Sequence, residues 1–289
     1  MKKIIGLLIT ILLLAISGCE TNRFNNIMEK IEFNQVIGLY TINVNHSEDN
    51  VPSVLLFGKT LNLTEDMINE LNELNTSITL LNENKDEIIF DSDDIEWGLS
   101  DPKLHKGGFS LRLTSNNILI NNELVFDKII IVANKKIIKR DINPIYLQFY
   151  SGEKNGISIM ESPIAPKDKV ILGKEYSYSY KVLDSNHAIT NFNRAELIYP
   201  DEVRKFIEII NVNVIPDMYT EEQIKKEYKG RVDEKKIKGL KVYEIQCTYS
   251  VKKEGIIVFQ PEIKLFFNKY EQSLAPFEPI SFFNFVEAQ

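Results

Sequence analysis

Carboxylates are concentrated in one short stretch of the sequence, at Asp91, Asp93 and Asp94. Calcium prefers carboxylate oxygens that a tight loop brings together. The stretch lacks the spacing of an EF-hand, because Ile95 and Glu96 occupy the positions of a further ligand and of the required glycine. Two interpretations therefore stay open, a calcium site at the end of a strand and a solvated loop between strands.

One serine and one lysine have the spacing found in penicillin-recognising enzymes, in the segment Ser100-Asp101-Pro102-Lys103. Those enzymes need the lysine one helical turn after the serine, and Pro102 between the two opposes such a turn. We therefore predict that this match has no catalytic role. The sequence also lacks the G-x-S-x-G elbow of serine hydrolases and the glycine-rich loops that bind phosphates.

The three histidines are His46, His105 and His187, and no two of them have the spacing of a zinc-binding pair. We predict no catalytic residue, no cofactor and no bound nucleotide. An enzyme would have to assemble its site from residues distant in the sequence, such as Asp91 or Asp93 with His105.

Aromatic side chains offer a second kind of site, because exposed rings stack on sugars and peptides. Trp97 follows the acidic stretch, and Tyr176, Tyr178 and Tyr180 alternate along one predicted strand. Each of the four is a candidate binding aromatic. The alternative interpretation places all of them in hydrophobic cores.

The first nineteen residues have the pattern of an export signal. Lys2 and Lys3 precede an apolar run that is too short for a comfortable membrane span, and small residues follow it. The segment Ile16-Ser17-Gly18-Cys19 resembles the lipobox of bacterial lipoproteins. This resemblance implies cleavage between Gly18 and Cys19 and fatty acids such as palmitate on Cys19.

Membrane attachment through this lipid would place the protein outside the cytoplasm. We expect it on the outer face of the cell membrane, or in an outer membrane if the cell has two. Cys247 is the only other cysteine, and its apolar neighbours in the predicted strand favour a buried thiol.

The chain is acidic, with 34 basic and 41 acidic side chains. Loss of Lys2 and Lys3 with the signal leaves 32 basic side chains, so a nucleic acid is not an expected partner. A local exception is the basic group Lys135, Lys136, Lys139 and Arg140. It is either a solvated hairpin end or a surface that rests on anionic lipid headgroups.

Apolar and polar residues alternate with a period of two through much of the chain, which predicts strands with one buried face. Examples are Tyr40–Val44, Phe109–Thr114 and Tyr176–Val182. Turn residues at Asn121-Asn122, Asn134-Lys135 and Lys252–Gly255 predict hairpins. The predicted fold class is mainly β, with two antiparallel immunoglobulin-like β-sandwich domains and a few short helices.

Three segments have helical patterns. Thr64–Leu74 begins with a capping threonine, and Thr220 with Gln223 forms a capping box. Pro200–Ile210 fits a short helix that runs into a strand.

A stretch rich in glycine, proline and charge at Ser151–Lys169 predicts the domain boundary. The expected organisation is a signal peptide at 1–18, the lipidated cysteine and a short tether at 19–30, an N-terminal sandwich at 31–162 and a C-terminal sandwich at 163–289.

The favoured function is a lipid-anchored module that binds an envelope protein or a glycan. This inference rests on fold class alone. The alternatives are an envelope enzyme without a recognised motif and a protein that protects the cell against an exported toxin.

Overall fold

The computed structural model describes most of the chain after residue 26. The described residues are 27–43, 53–60, 63–114, 123–134, 136–150, 157–161, 166, 168–184, 189, 192–217, 219–227, 237–268, 270–274, 276 and 279–284. The lipobox, His46, His187 and the predicted turn at Asn121-Asn122 lie outside these ranges.

Strands dominate the described residues. In chain order they are β1 (Glu32–Phe33), β2 (Gln35–Asn43), β3 (Ser53–Lys59), β4 (Thr76–Leu81), β5 (Glu87–Phe90), β6 (Ile95–Leu99), β7 (Gly108–Thr114), β8 (Leu124–Ala133), β9 (Lys136–Tyr150), β10 (Ile157–Glu161), β11 (Glu175–Asp184), β12 (Phe192–Ile198), β13 (Ile207–Asp217), β14 (Lys241–Val251), β15 (Gly255–Gln260), β16 (Glu262–Phe267), β17 (Tyr270–Leu274) and β18 (Ile280–Asn284). The predicted mainly-β class is confirmed.

The short helices are Glu65–Asn72, Asp201–Arg204, Glu221–Glu227 and a 3-10 helix at Ser92–Asp94. All three predicted helical segments are confirmed. Thr64 caps the first helix, with the Met67 N–H donating to its hydroxyl at 3.4 Å. Thr220 and Gln223 form the reciprocal capping box, because each backbone N–H donates to the other's side chain, at 2.8 and 3.2 Å. No helix among the described residues has the length and apolar composition needed to cross a bilayer.

The chain forms two compact units. Unit 1 comprises 1–34, 55–114 and 126–143, and its strands form one sheet in the order β1-β3-β7-β6 and a second in the order β9-β8-β4-β5. Its buried side chains include Trp97, Phe109 and Leu111. The Trp97 and Phe109 ring centroids are 5.4 Å apart.

Unit 2 comprises 35–54, 115–125 and 144–289. Its strands form sheets in the orders β10-β11-β14-β13, β12-β16-β17 and β18-β15-β2-β9. All three sheets contribute to one hydrophobic core, in which Tyr249 packs on Phe282 with ring centroids 4.7 Å apart. Unit 2 is therefore a β-sandwich, because sheets bury their apolar faces against one another.

The units are interleaved along the chain, whereas the sequence suggests a single boundary near residue 163. Strand β2 belongs to unit 2, where it is parallel to both β15 and β9. Strand β10 lies within the stretch predicted as a linker, and it pairs with β11. Pairing between strands that are distant in the sequence produces no pattern within either strand. The interleaving of the two units could therefore not be predicted from local composition.

The hairpin predicted at Lys252–Gly255 is wrong. Strand β14 pairs with β11 and β13, whereas β15 pairs with β18 and β2. Gly255 has φ +122°, and a Cβ there would lie 2.4 Å from a methyl group of Val36. The connection between β14 and β15 therefore leads from one sheet to another and passes close to Val36 of β2. Position 255 needs glycine because of its positive φ and because a Cβ would collide with Val36.

Candidate functional site

The acidic stretch forms a turn of 3-10 helix between β5 and β6. Asp91 precedes the turn, and Asp93 and Asp94 lie within it. The structure does not bring these carboxylates together as ligands: among the described residues no three His, Cys, Asp or Glu side chains are placed to hold a metal ion. The geometry of a solvated loop fits these residues better than a calcium site.

His105 is buried in unit 1 and is hydrogen-bonded to two side chains, those of Asn34 and Ser100. One ring nitrogen, Nε2, is 2.9 Å from Asn34 Nδ2, and the other, Nδ1, is 3.3 Å from Ser100 Oγ. Burial, with a smaller contribution from the charge of Lys59, lowers the pKa of His105 to about 4. Gly108 makes room for the ring, because a Cβ there would lie 2.0 Å from Nδ1.

This serine, histidine and asparagine have the composition of a catalytic triad but not its chemistry. In the orientation shown, Asn34 donates to Nε2, which requires the ring proton on Nδ1, and in that tautomer His105 does not accept a proton from Ser100; the opposite amide orientation reverses these roles. Ser100 is only 7% exposed and His105 only 2%, and a base with a pKa near 4 is weak at neutral pH. The network therefore fixes the loop between β6 and β7. The two hydrogen bonds of His105 given above join it to Asn34 and Ser100 and not to Asp91 or Asp93.

Trp97 is 3% exposed, so its ring offers no face to a ligand. The side-chain amide of Asn72 makes two hydrogen bonds to the backbone of Trp97. The Trp97 N–H donates to Asn72 Oδ1 at 2.7 Å, and Asn72 Nδ2 donates to the Trp97 carbonyl at 3.0 Å. The helix Glu65–Asn72 is thereby joined to β6. Trp97 is a core residue of unit 1.

The three candidate tyrosines of β11 point toward the core of unit 2. Tyr178 and Tyr180 are buried and pack edge to face, with ring centroids 5.3 Å apart. Tyr176 is half-buried and stacks on Tyr249, and its hydroxyl accepts a hydrogen bond from the Ile171 N–H at 2.8 Å. These rings therefore build the sandwich and do not form a binding stripe.

Cys247 lies beside Tyr178 on the next strand and is fully buried. Burial raises the pKa of its thiol to about 12. The predicted buried thiol is confirmed, and a thiol with this pKa is not a nucleophile at neutral pH.

The opposite face of the same sheet carries a continuous set of uncharged polar side chains. Strand register places them in two rows across three strands, Ser177–Thr248–Asn211 and Ser179–Gln246–Asn213. We call these six residues the neutral face. From the spacing of strands and residues, it covers about 10 Å across the strands and about 7 Å along them. Ser177, Asn211 and Asn213 are exposed, and the other three are half-buried.

Charged rows bound the neutral face at both ends. The row before it ends in Glu175 and Glu208, and the row after it contains Lys181 and Glu244. These charges are partly compensated: Lys252 lies 3.0 Å from Glu208, and Lys181 lies 3.6 Å from Glu161. The neutral face is therefore a defined patch of amide and hydroxyl groups within a charged surface.

One side of the neutral face is an open edge, because no described strand pairs with the outer side of β13. Ile210 and Ile215 on this strand are 46% and 43% exposed. Between Ile207 and Ile215 the only charged residue is Glu208. Edge strands usually carry charges that prevent pairing with other chains, and β13 has few of them.

Sequence reasoning missed the neutral face, although it identified β11 correctly. The serines that alternate with the three tyrosines were the local signal that the outer face of β11 is polar and uncharged. Similar alternation occurs in Asn211-Val212-Asn213-Val214 and in Gln246-Cys247-Thr248. Register between the strands, which no single segment encodes, is what brings these polar residues into one patch.

Two solved structures are similar to this chain at low identity. A marsupial T cell receptor is 9% identical, with 86% of this chain and 61% of that chain covered and a TM-score of 0.24. The C-terminal domain of the Streptococcus agalactiae AgI/II polypeptide BspA is 10% identical, with 88% and 99% covered and a TM-score of 0.25. Likenesses this weak carry no argument about fold or function. No family model and no curated protein matches the chain.

Proposed function

We propose that this protein is a lipid-anchored extracytoplasmic lipoprotein that acts as a binding module of the cell envelope. The neutral face is its contact surface. The lipobox supports the anchor, and the observation that carries the binding function is the set of six uncharged polar side chains beside the open edge of β13.

The chemistry of this face indicates what it binds. Asn and Gln amides with Ser and Thr hydroxyls supply both donors and acceptors without a net charge. Such groups adapt to the polar surface of a partner, and paratopes use them in this way. A neutral polar partner, either a glycan or a polar segment of an envelope protein, fits the face better than a strongly charged one.

Charge introduced into the face is expected to abolish binding. In Asn213→Lys, an exposed amide becomes an ammonium that the partner would have to desolvate, so we expect partner capture to fall at least about tenfold. The measurement is quantitative mass spectrometry of material captured from cell envelopes by the full mature chain.

Asn193→Lys is the matched control, since Asn193 is an exposed asparagine on β12, which is also an edge strand of unit 2. This variant should capture the same material as the wild type. Equal capture by all three proteins would place the contact surface elsewhere.

The anchor has its own test. Cys19→Ser removes the sulfur that would carry the diacylglycerol, so this variant is expected to incorporate no labelled palmitate and to retain its signal peptide. Labelling is measured in the native cell, with Cys247→Ser as a control that should label normally. Normal labelling of Cys19→Ser would refute the anchor without affecting the neutral face.

A further inference from the structure

A basic hairpin lies close to the point where the described chain begins. Strands β8 and β9 are neighbours in the unit 1 sheet that also contains β4 and β5, and Asn134 at their turn has φ +49°. From Lys128 to Arg140 the sequence has five basic residues and no acidic one. Asp127 and Asp141 bound this segment. One of the five, Lys135, lies outside the described residues.

Aliphatic side chains are exposed on the same hairpin. Ile137 is 62% exposed and Val132 is 37% exposed, although both belong to regular strands. Lys139 is exposed on the same side of β9 as Ile137, because alternate residues of a strand share a face and Ile138 between them is buried. An aliphatic surface beside Lys139 suits the interface of an anionic bilayer, where methyl groups enter the headgroup region and an ammonium group meets phosphates.

The first residues of the described chain are fixed to this hairpin. Lys136 forms an ion pair with Glu29, and Arg140 donates to two backbone carbonyls, that of Glu29 at 2.8 Å and that of Ile31 at 3.2 Å. Ile27, where the described chain begins, follows Cys19 by eight positions (27 − 19). Even a fully extended chain of that length spans at most about 28 Å. An acyl group on Cys19 would therefore hold Ile27 within that distance of the lipid, and Glu29, which contacts the hairpin, is only two residues further along the chain.

We propose that the β8–β9 hairpin, with Ile137 and Lys139 on its exposed side, docks on a bilayer of anionic phospholipid. The position of the hairpin near the bilayer rests on the proposed lipid anchor, whereas its chemistry does not. Docking would hold unit 1 against the membrane surface through contacts beyond the covalent lipid.

The test uses the full mature chain, produced without the signal peptide and with Cys19→Ser so that it carries no lipid. We expect it to sediment with vesicles of phosphatidylcholine and phosphatidylglycerol, and much less with phosphatidylcholine alone. High salt should weaken the binding, because salt screens exposed charges. The double variant Ile137→Ser/Lys139→Glu is expected to lower the partition coefficient at least about tenfold, since each basic residue near such a surface contributes strongly.

The control variant is Leu99→Ser/Lys103→Glu, which changes an exposed aliphatic residue and an exposed lysine at and beyond the end of β6, in the other sheet of unit 1. It should bind like the wild type. Absence of sedimentation, equal binding to both kinds of vesicle, or equal loss in the two double variants would overturn the proposal. Because the protein tested carries no lipid, these outcomes are independent of the palmitate experiment on Cys19.

Discussion

A fragment of residues 163–289 is expected to show no cooperative unfolding transition, whereas the full mature chain is expected to unfold cooperatively. The fragment lacks β2, β9 and β10, which belong to the sheets of unit 2. Ile37 and Leu39 of β2 are 1% and 0% exposed in its core. Each such side chain contributes about 1.5–3 kcal/mol by burial, and a domain is stable by only about 5–15 kcal/mol in total.

Loss of β2 and β9 also exposes β15, whose six residues are all buried in the intact chain. Circular dichroism in urea and the dispersion of amide resonances will measure the outcome. Co-expression of residues 20–162 with the fragment supplies the missing strands and should restore a transition. A sharp transition in the isolated fragment would show that a separate domain begins near residue 163, as the sequence suggests.

The stability advantage of the wild type over His105→Gln is expected to shrink as the pH falls from about 6.5 to about 4. The folded protein holds the pKa of His105 at about 4, whereas an unfolded histidine has a pKa near 6.5. Between these values the unfolded chain binds a proton that the folded chain does not, so acid favours unfolding. The full change is roughly 3 kcal/mol, at about 1.4 kcal/mol for each pKa unit.

Urea unfolding of both proteins between pH 7.5 and 4 will measure this difference. Carboxylates common to both proteins also titrate in this range, and their contribution cancels when one curve is subtracted from the other. The difference should be constant above pH 7, where the histidine is neutral in both states. Parallel curves over the whole range would mean that His105 is solvated in the folded protein.

Local features of this fold could be predicted from the sequence because they depend on neighbouring residues. Thr64 and Thr220 cap helices because each hydroxyl accepts a hydrogen bond from a backbone N–H three residues later. The alternation of tyrosine and serine in β11 identified the strand, since a strand period of two is a local property. Burial of Cys247 followed from its apolar neighbours in β14 in the same way.

Pairing between distant segments could not be predicted. The location of β2 between β15 and β9 depends on parallel pairing across most of the chain, and the five-residue strand β10 resembles a linker in composition. The same limit applies to both surfaces proposed for binding. Asn211 and Gln246 become neighbours of Ser179 only through strand register, and Glu29 meets Lys136 only in the folded unit.

The location of β2 has a consequence for biogenesis. A polypeptide that crosses a membrane amino terminus first delivers β2 early, but β15 emerges only after most of the chain. Until then β2 has an unpaired edge, and loop closure over such a separation is slow. The export proposed above would therefore leave an intermediate with an unpaired strand edge outside the membrane, and such an intermediate is prone to aggregation until the carboxyl-terminal strands arrive.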